Sequence, residues 1–133
     1  MAGSGGDTPG RRERMFAESA GRRGEGWAAL FLQAQGYRIL ARRVKTPVGE
    51  IDLVARRYST IVFVEVKARS FSSGEAEALA AVNRRRIVRA AEAWISRNPG
   101  SAQSDMRFDV IFLAPFAWPR HIVNAFDATG LGR

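Results

Sequence analysis

The chain has 133 residues, a length that suits a single domain, and 46% of them are hydrophobic, which is enough for a sizeable core. It contains no cysteine and one histidine, His121, so disulfide scaffolds, thiolate zinc sites, cysteine nucleophiles and multi-histidine metal sites are excluded. No apolar run approaches the roughly 20 residues of a membrane span, and the N-terminus lacks the apolar core of a signal peptide. We therefore expect a cytoplasmic protein that contacts no membrane.

The charge of the chain is strongly positive, since 21 Lys and Arg side chains against 13 Asp and Glu give a net charge of +8. Within residues 1–20 the basic and acidic side chains cancel, so the whole excess belongs to residues 21–133. A positive surface favours anionic partners, and nucleic acid is the commonest of these. Charge alone leaves open the alternative of a small basic protein that binds nothing specific.

The N-terminal part of the chain predicts a flexible leader over residues 1–8, followed by one domain over residues 9–133. A first helix is clearest from Gly24 to Gln35, where apolar residues recur at helical spacing, and Gly36 is a natural C-terminal stop. Its inward stripe is predicted to comprise Trp27, Leu30, Phe31 and Ala34.

Three strand-like segments come next, at Tyr37–Val44, Gly49–Arg56 and Thr60–Lys67. After a mixed stretch with a short helical turn through Ala76–Ala81, Asn83 is predicted to cap a second helix that runs to about Arg97. The inward stripe of this helix is predicted to be Ile87, Ala91, Trp94 and Ile95. The last two strands are predicted at Met106–Leu113 and His121–Phe126. The order α-β-β-β-α-β-β indicates an α/β fold class.

The hairpin of the second and third strands is the most informative part of the sequence. If Tyr58 and Ser59 form its loop, alternation pairs Ile51 with Val66, Leu53 with Val64 and Ala55 with Val62. This face is entirely apolar and is predicted to be core. A shift by one residue would turn the valines to the other side, so the register is constrained.

The opposite face of the hairpin carries charge, because the same register places Asp52 opposite Glu65 and Glu50 opposite Lys67. Two opposed carboxylates repel, so a positive group is expected beside them. Lys67 provides part of that charge, and a divalent cation such as Mg²⁺ or Mn²⁺, which prefers oxygen ligands, would provide more. A cation that polarises a phosphoryl oxygen and activates water, beside a lysine, is typical of phosphodiester cleavage. The alternative is a solvated, salt-bridged strand face.

Several basic side chains are candidates for binding a nucleic-acid backbone. They are Arg84, Arg85 and Arg86 at the start of the second helix, Arg43 and Lys45 before the loop at Thr46–Gly49, and Arg69 just after Lys67. The alternative for each is a solvated basic surface, or for Arg69 a salt bridge to Glu75 or Glu77.

A structural role is predicted for most of the remaining polar and aromatic candidates. Asp109 alternates with Phe108 and Val110, which favours a buried hydrogen-bond partner, and His121 is read as a structural strand residue. Trp27, Trp94 and Trp118 are predicted to pack in the core or at its edges rather than to stack on bases.

With these residues in view, the chain resembles the YraN family of small, uncharacterised bacterial proteins. That family is similar to Holliday-junction resolvases within the restriction-endonuclease-like, PD-(D/E)XK, superfamily. The resemblance covers roughly residues 20–127, and its most specific part is Gly-Glu-Ile-Asp at 49–52 followed by Glu-Val-Lys at 65–67. The other matching stretches are Gly24-Glu25, Gly36–Leu40, Arg107–Val110 and His121–Phe126.

The resemblance implies a restriction-endonuclease-like fold with a mixed central β-sheet flanked by helices. It implies that Asp52, Glu65 and the Val66 carbonyl hold Mg²⁺ or Mn²⁺, and that Lys67 is catalytic. Glu25 matches the auxiliary acidic residue that approaches the metal from the first helix, although from its sequence position alone it is equally a solvated residue. The roles of Glu50 and Asp109 stay open.

The resulting hypothesis is a metal-dependent endonuclease that hydrolyses phosphodiester bonds of DNA, with branched or single-strand-containing DNA as candidate substrates. Related resolvases work as dimers, so a homodimer is a further expectation. One alternative is a nucleic-acid-binding module on the same scaffold that does not catalyse. Another is an interaction or scaffold protein with no role on nucleic acid.

Overall fold

The computed structural model describes residues 24–68, 82–114 and 116–127. The predicted leader over 1–8, the helical turn over Ala76–Ala81 and the candidate Arg69 lie outside the described residues. Residues 24–34 are helical (α1), and the other elements are β1 (Arg38–Thr46), β2 (Gly49–Arg57), β3 (Thr60–Lys67), α2 (Arg84–Arg97), a 3₁₀ turn (Pro99–Ser101), β4 (Asp105–Phe112) and β5 (Arg120–Phe126). The predicted order of elements is confirmed.

The strands form one mixed sheet in the order β1-β2-β3-β4-β5. All neighbouring strands are antiparallel except β3 and β4, which are parallel and are joined through α2. Parallel neighbours need a crossover connection, which explains why the only long helical interruption predicted between strands falls between these two. The α/β class and the mixed central sheet are therefore confirmed.

Helices cover both faces of the sheet. On one face α2 packs on Val54, Phe63 and Phe108, and on the other α1 packs on a layer that includes Leu53 and Val64. The predicted apolar face of the hairpin is thus core for Leu53, Ala55, Val62 and Val64, and the Val54–Phe63 pair on its opposite face is buried as well. No helix in the three described ranges is long and apolar enough to cross a membrane.

The buried stripe of α2 agrees with the prediction and is wider than it, since Val88 and Ala90 are buried as well as Ile87, Ala91 and Trp94. Asn83 caps this helix as predicted, because its side chain accepts a hydrogen bond from the Arg86 N–H at 3.2 Å.

The predicted inward stripe of α1 is right for Phe31, which is partly buried against the core, and wrong for its other three members. Trp27 and Leu30 are 66% and 57% exposed, and Ala34 is also exposed. The buried residues are instead Gly24, Ala28, Ala29 and Leu32. A Cβ atom on Gly24 would lie 3.1 Å from Leu113 Cδ1, so the helix approaches the sheet on its small residues and leaves its largest ones outside.

The prediction that all three tryptophans pack is also only partly right. Trp94 projects from α2 into the core, edge-on to Phe63 with ring centroids 5.9 Å apart. Trp27 and Trp118 are exposed, because neither the face of α1 that carries Trp27 nor the loop that carries Trp118 packs on the sheet.

The hairpin register is confirmed from Leu53–Val64 to Arg57–Thr60, with Tyr58 and Ser59 as the loop. Beyond Leu53 the ladder stops, and the Val66 N–H is bound by the side chain of Asp52, with 2.7 Å between N and Oδ2. Ile51 packs in the α2 layer with Val54, whereas strict alternation would place it with Leu53. The regular hairpin therefore ends where the predicted site begins.

Candidate active site

One end of the sheet gathers most of the predicted functional residues. β2 begins there, β3 and β4 end there, and α2 begins on the same side because it follows β3. Gly49 allows the first turn of α2 to lie against β2, since a Cβ atom at this position would be 2.9 Å from the Arg86 carbonyl oxygen. The charged end of the hairpin and the arginines of α2 are therefore neighbours.

Asp52 and Glu65 are neighbours at this end, as predicted, although the regular β2–β3 ladder ends one pair earlier at Leu53–Val64. Burial, a hydrogen bond shared with the Glu65 side chain and the negative charge of Glu65 raise the pKa of Asp52 from 3.8 to about 7. The Val66 N–H and the Lys67 charge act in the opposite direction but do not compensate. The site therefore holds one more negative group than its surroundings can balance at neutral pH.

Lys67 is a cation beside this pair. Its Nζ lies 3.3 Å from Glu65 Oε2, and both side chains are mostly buried. Its backbone carbonyl accepts a hydrogen bond from the Leu113 N–H at 2.8 Å, which fixes the end of β3 to the end of β4. A lysine in this position offers a compact, orientable ammonium group next to two carboxylates.

The donor set fits a hard divalent cation. Two carboxylates converge in a partly buried space, and the raised pKa of Asp52 marks negative charge that a cation would neutralise. Within 24–68, 82–114 and 116–127, no group of three or more His, Asp and Glu side chains is arranged to hold a metal. Two carboxylates, the Val66 carbonyl and water molecules would make up an Mg²⁺ or Mn²⁺ coordination shell of the usual kind.

Glu25 is not brought together with Asp52 and Glu65. Its Oε1 accepts a hydrogen bond from Arg43 Nε at 2.6 Å, so a predicted metal ligand on α1 is paired with a predicted phosphate-binding residue on β1. Arg43 has a φ of +50°, a conformation that few residues other than glycine adopt. The predicted contact of Glu25 with a metal stays a prediction.

Glu50 was predicted to lie opposite Lys67, and the structure gives it a different neighbour. Glu50 is exposed and pairs across the ladder with Lys45 of β1, while the ion pair of Lys67 is with Glu65. The difference follows from the end of the β2–β3 ladder at Leu53–Val64, beyond which the two strands no longer pair residue by residue.

The other basic candidates are exposed. Arg84, Arg85 and Arg86 occupy the first turn of α2, where backbone N–H groups also favour anions. Arg84 lies over the ring of Phe126, with its Cζ 5.9 Å from the ring centroid. Lys45 is exposed near the β1–β2 turn.

The family model described as "Uncharacterised protein family UPF0102" matches residues 24–113. The chain belongs to this family. The YraN resemblance is thereby confirmed, and the matched span contains Glu25, Asp52, Glu65 and Lys67.

Three of its relatives are similar to this chain over nearly their whole length. A UPF0102 protein of Rhodopseudomonas palustris (strain ATCC BAA-98 / CGA009) is 53% identical over 116 residues, which cover 87% of this chain and 89% of that protein. One of Methylorubrum extorquens (strain PA1) is 49% identical over 123 residues, covering 92% and 95%. One of Bradyrhizobium diazoefficiens is 47% identical over 117 residues, covering 88% of each chain. None of these names states an activity. Membership of UPF0102 therefore indicates no reaction, and the reaction has to be inferred from the geometry of the site.

A second polar cluster lies outside the candidate site in this UPF0102 chain. Asp109 is fully buried and accepts hydrogen bonds from Arg107, His121 and the Asn124 N–H at 2.7–2.9 Å. The roles predicted for Asp109 and His121 are thus confirmed. Sequence reasoning missed Arg107, whose Nη2 also donates to the Tyr37 hydroxyl at 2.6 Å. The available signal was weak: Arg107 and Asp109 stand two apart on one strand and so share a face.

Proposed function

We propose that this protein is a metal-dependent nuclease that hydrolyses DNA phosphodiester bonds on a restriction-endonuclease-like fold. The observation that carries the proposal is the pairing of Asp52 with Glu65, which raises the pKa of Asp52 to about 7, beside Lys67. A cluster of buried acid within a chain of net charge +8 suits a ligand that is itself anionic and needs a cation to react.

In this proposal Asp52, Glu65 and the Val66 carbonyl hold Mg²⁺ or Mn²⁺. When bound, the cation polarises a phosphoryl oxygen and lowers the pKa of a coordinated water. The Val66 N–H orients Asp52 through the 2.7 Å hydrogen bond, so one carboxylate oxygen is fixed and the other is left for the site. Lys67 donates hydrogen bonds to the phosphate and stabilises the negative charge that develops on it.

Arg43 and Glu25 are proposed to act together at the edge of this site. A phosphate that binds Arg43 would compete with Glu25 for the guanidinium and leave the Glu25 carboxylate available as a further acidic group at the edge of the site. The 2.6 Å contact supports this exchange, because the Arg43 side chain is half-exposed and so open to competition by an anion, while Glu25 is mostly buried.

The direct test of cleavage uses purified protein with linear duplex, single-stranded and four-way-junction DNA, each with Mg²⁺, with Mn²⁺ and with chelator. We expect cleavage only with metal. Lys67→Met should lower the turnover rate by about 100-fold or more, and Asp52→Ala by at least as much. Glu92→Gln, an exposed position on α2, is the control and should cleave normally. Absence of cleavage of every substrate, or cleavage that both site variants leave intact, contradicts the proposal.

The exposed arginines of α2 are proposed to bind the DNA backbone. Replacing Arg84, Arg85 and Arg86 together with glutamine should weaken DNA binding roughly tenfold or more. It should also reduce the dependence of affinity on salt, because binding with fewer phosphate contacts releases fewer counterions from the DNA. Arg97→Gln, at the other end of the same helix, serves as the control and should change neither quantity. Fluorescence anisotropy at several salt concentrations measures both, and an unchanged salt slope in the triple variant would remove these residues from the interface.

A second candidate function is binding of nucleic acid without cleavage. One observation favours it: the three arginines lie on α2, whereas Asp52 and Glu65 lie on β2 and β3, so the arginines can bind phosphate without the acidic pair. This alternative predicts salt-sensitive binding that survives Asp52→Ala, is lost in the triple arginine variant and occurs without cleavage under any metal condition.

A further inference from the structure

The loop between β4 and β5 carries two aromatic side chains that contact almost nothing. Phe116 is fully exposed, and Trp118 is 90% exposed. Large aromatic side chains usually bury most of their surface, and an exposed pair is therefore expected to contact a ligand or a partner. Phe116 also has a φ of +60°, which bulky residues seldom adopt.

This loop begins at the candidate active site. It leaves the sheet after Phe112, which is the ladder partner of Lys67, and its first residue donates a hydrogen bond to the Lys67 carbonyl. It returns to the sheet at Arg120, again opposite Phe112. One strand spacing, about 4.8 Å, separates Lys67 from the strand that leads into the loop. Phe116 and Trp118 thus stand four and six residues beyond the strand end that lies next to Lys67, at the same end of the sheet as the candidate site.

An anion-binding site and exposed aromatic rings at the same end of the sheet together favour one kind of ligand. The candidate site binds anions in the proposed function, and the loop offers flat apolar rings. Single-stranded nucleic acid has both features, because each phosphate is attached to a base with two flat faces. Bases inside a duplex are stacked on each other and do not offer those faces to a side chain.

We infer that Phe116 and Trp118 form a stacking platform for unpaired bases next to the reacting phosphate, so that the substrate is DNA with unpaired nucleotides at the cleavage point. The inference rests on the proposed function, since it assigns a substrate class to the same site. It concerns binding as well as cleavage, so it can be tested where no cleavage takes place.

The experiment measures binding of a labelled oligothymidylate and of a fully paired duplex of equal length, by fluorescence anisotropy in the presence of chelator. Phe116→Ala and Trp118→Ala should each weaken binding of the single strand by about tenfold and leave duplex binding unchanged. Trp118→Phe keeps a flat ring and should restore most of the affinity. Tyr58→Ala is the matched control, because Tyr58 is an equally exposed aromatic residue at the opposite end of the sheet, and it should bind both ligands normally.

Tryptophan fluorescence adds a readout that a purely structural role would not change. Wild-type emission should be quenched by the oligothymidylate, and this quenching should be largely lost in Trp118→Phe even though binding persists. Persistence of the full quenching would place the base elsewhere and overturn the inference.

The remaining outcomes separate the two proposals. If the wild type binds DNA and the double variant Phe116→Ala/Trp118→Ala binds the single strand equally well, the stacking platform is wrong while the nuclease proposal stands. If the double variant becomes smaller than the wild type on gel filtration, a second copy of the chain covers the loop, and the inference fails. If the wild type binds no nucleic acid at all, both proposals fail together.

Discussion

Replacing Asp52 with asparagine should make the protein more stable at pH 8 than the wild type. Asparagine retains the shape of the side chain and still accepts the Val66 N–H, but it cannot ionise next to Glu65. The gain is expected to be on the order of 2 kcal/mol in the free energy of unfolding, which corresponds to roughly 7 °C in Tm for a chain of this size. Thermal unfolding followed by circular dichroism in the presence of chelator measures it.

Asp52 makes the stability of the wild type depend on pH. The pKa of Asp52 is about 7 in the folded protein and returns to an ordinary value near 3.8 on unfolding. Between these two pH values the folded protein retains a proton that the unfolded chain has released, so wild-type stability falls as the pH rises through this window. The variant lacks this decline. The two proteins should therefore be about equally stable near pH 4, and the difference should be fully developed above pH 7.

Mg²⁺ or Mn²⁺ should reverse this order. A cation bound between Asp52 and Glu65 neutralises the charge that destabilises the wild type, so Tm should rise with metal concentration in the wild type and stay constant in Asp52→Asn. Glu92→Gln, an exposed carboxylate on α2, should follow the wild type in both conditions. A variant that is less stable than the wild type at pH 8 without metal would show that Asp52 is not the strained group described above.

Replacing Asp109 with asparagine should have the opposite effect and a larger one. The variant removes the negative charge that Arg107 needs and presents an amide N–H₂ to groups that are all donors. Breaking a buried ion pair by removing one partner costs about 3–5 kcal/mol, so Tm should fall by roughly 15 °C. Asp105→Asn, an exposed position at the start of the same strand, should leave Tm unchanged.

Acid should remove the same interaction in the wild type. Burial acts to raise the pKa of Asp109, but hydrogen bonds from His121, Arg107 and the Asn124 N–H outweigh it and hold the pKa below the usual 3.8. The contribution of Asp109 is therefore present above its ordinary pKa and is lost as the pH falls through the lowered folded value. Below that value the wild type and Asp109→Asn should converge in stability. Equal stability of the two proteins at pH 7 would contradict the role assigned to this network.

The local features of this site were predictable from the sequence. A two-residue loop at Tyr58-Ser59 and alternation along two short strands set the register up to Leu53–Val64, and Asp52 and Glu65 follow directly after that pair as neighbours. Such features depend on neighbouring residues and on a single apolar face, so they need no knowledge of the rest of the fold. The capping of α2 by Asn83 was predictable for the same reason.

Other features depended on space that only the assembled sheet defines. Apolar residues occupy more than one side of α1, and the side that is buried is the one whose small residues, Gly24, Ala28 and Ala29, allow close approach to the sheet. Periodicity favoured the larger side chains, and Trp27 was therefore misplaced. The pairing of Glu25 with Arg43 likewise joins two elements whose separation no local pattern gives.

The sequence by itself determined the order of the elements, the hairpin and the acidic pair, because turn length and alternation act over a few residues. The tertiary structure decided what surrounds that pair: the arginines of α2, the contact of Leu113 with Lys67, and the exposed Trp118 loop. These groups are far apart in the chain, and the parallel pairing of β3 with β4 brings them to one end of the sheet.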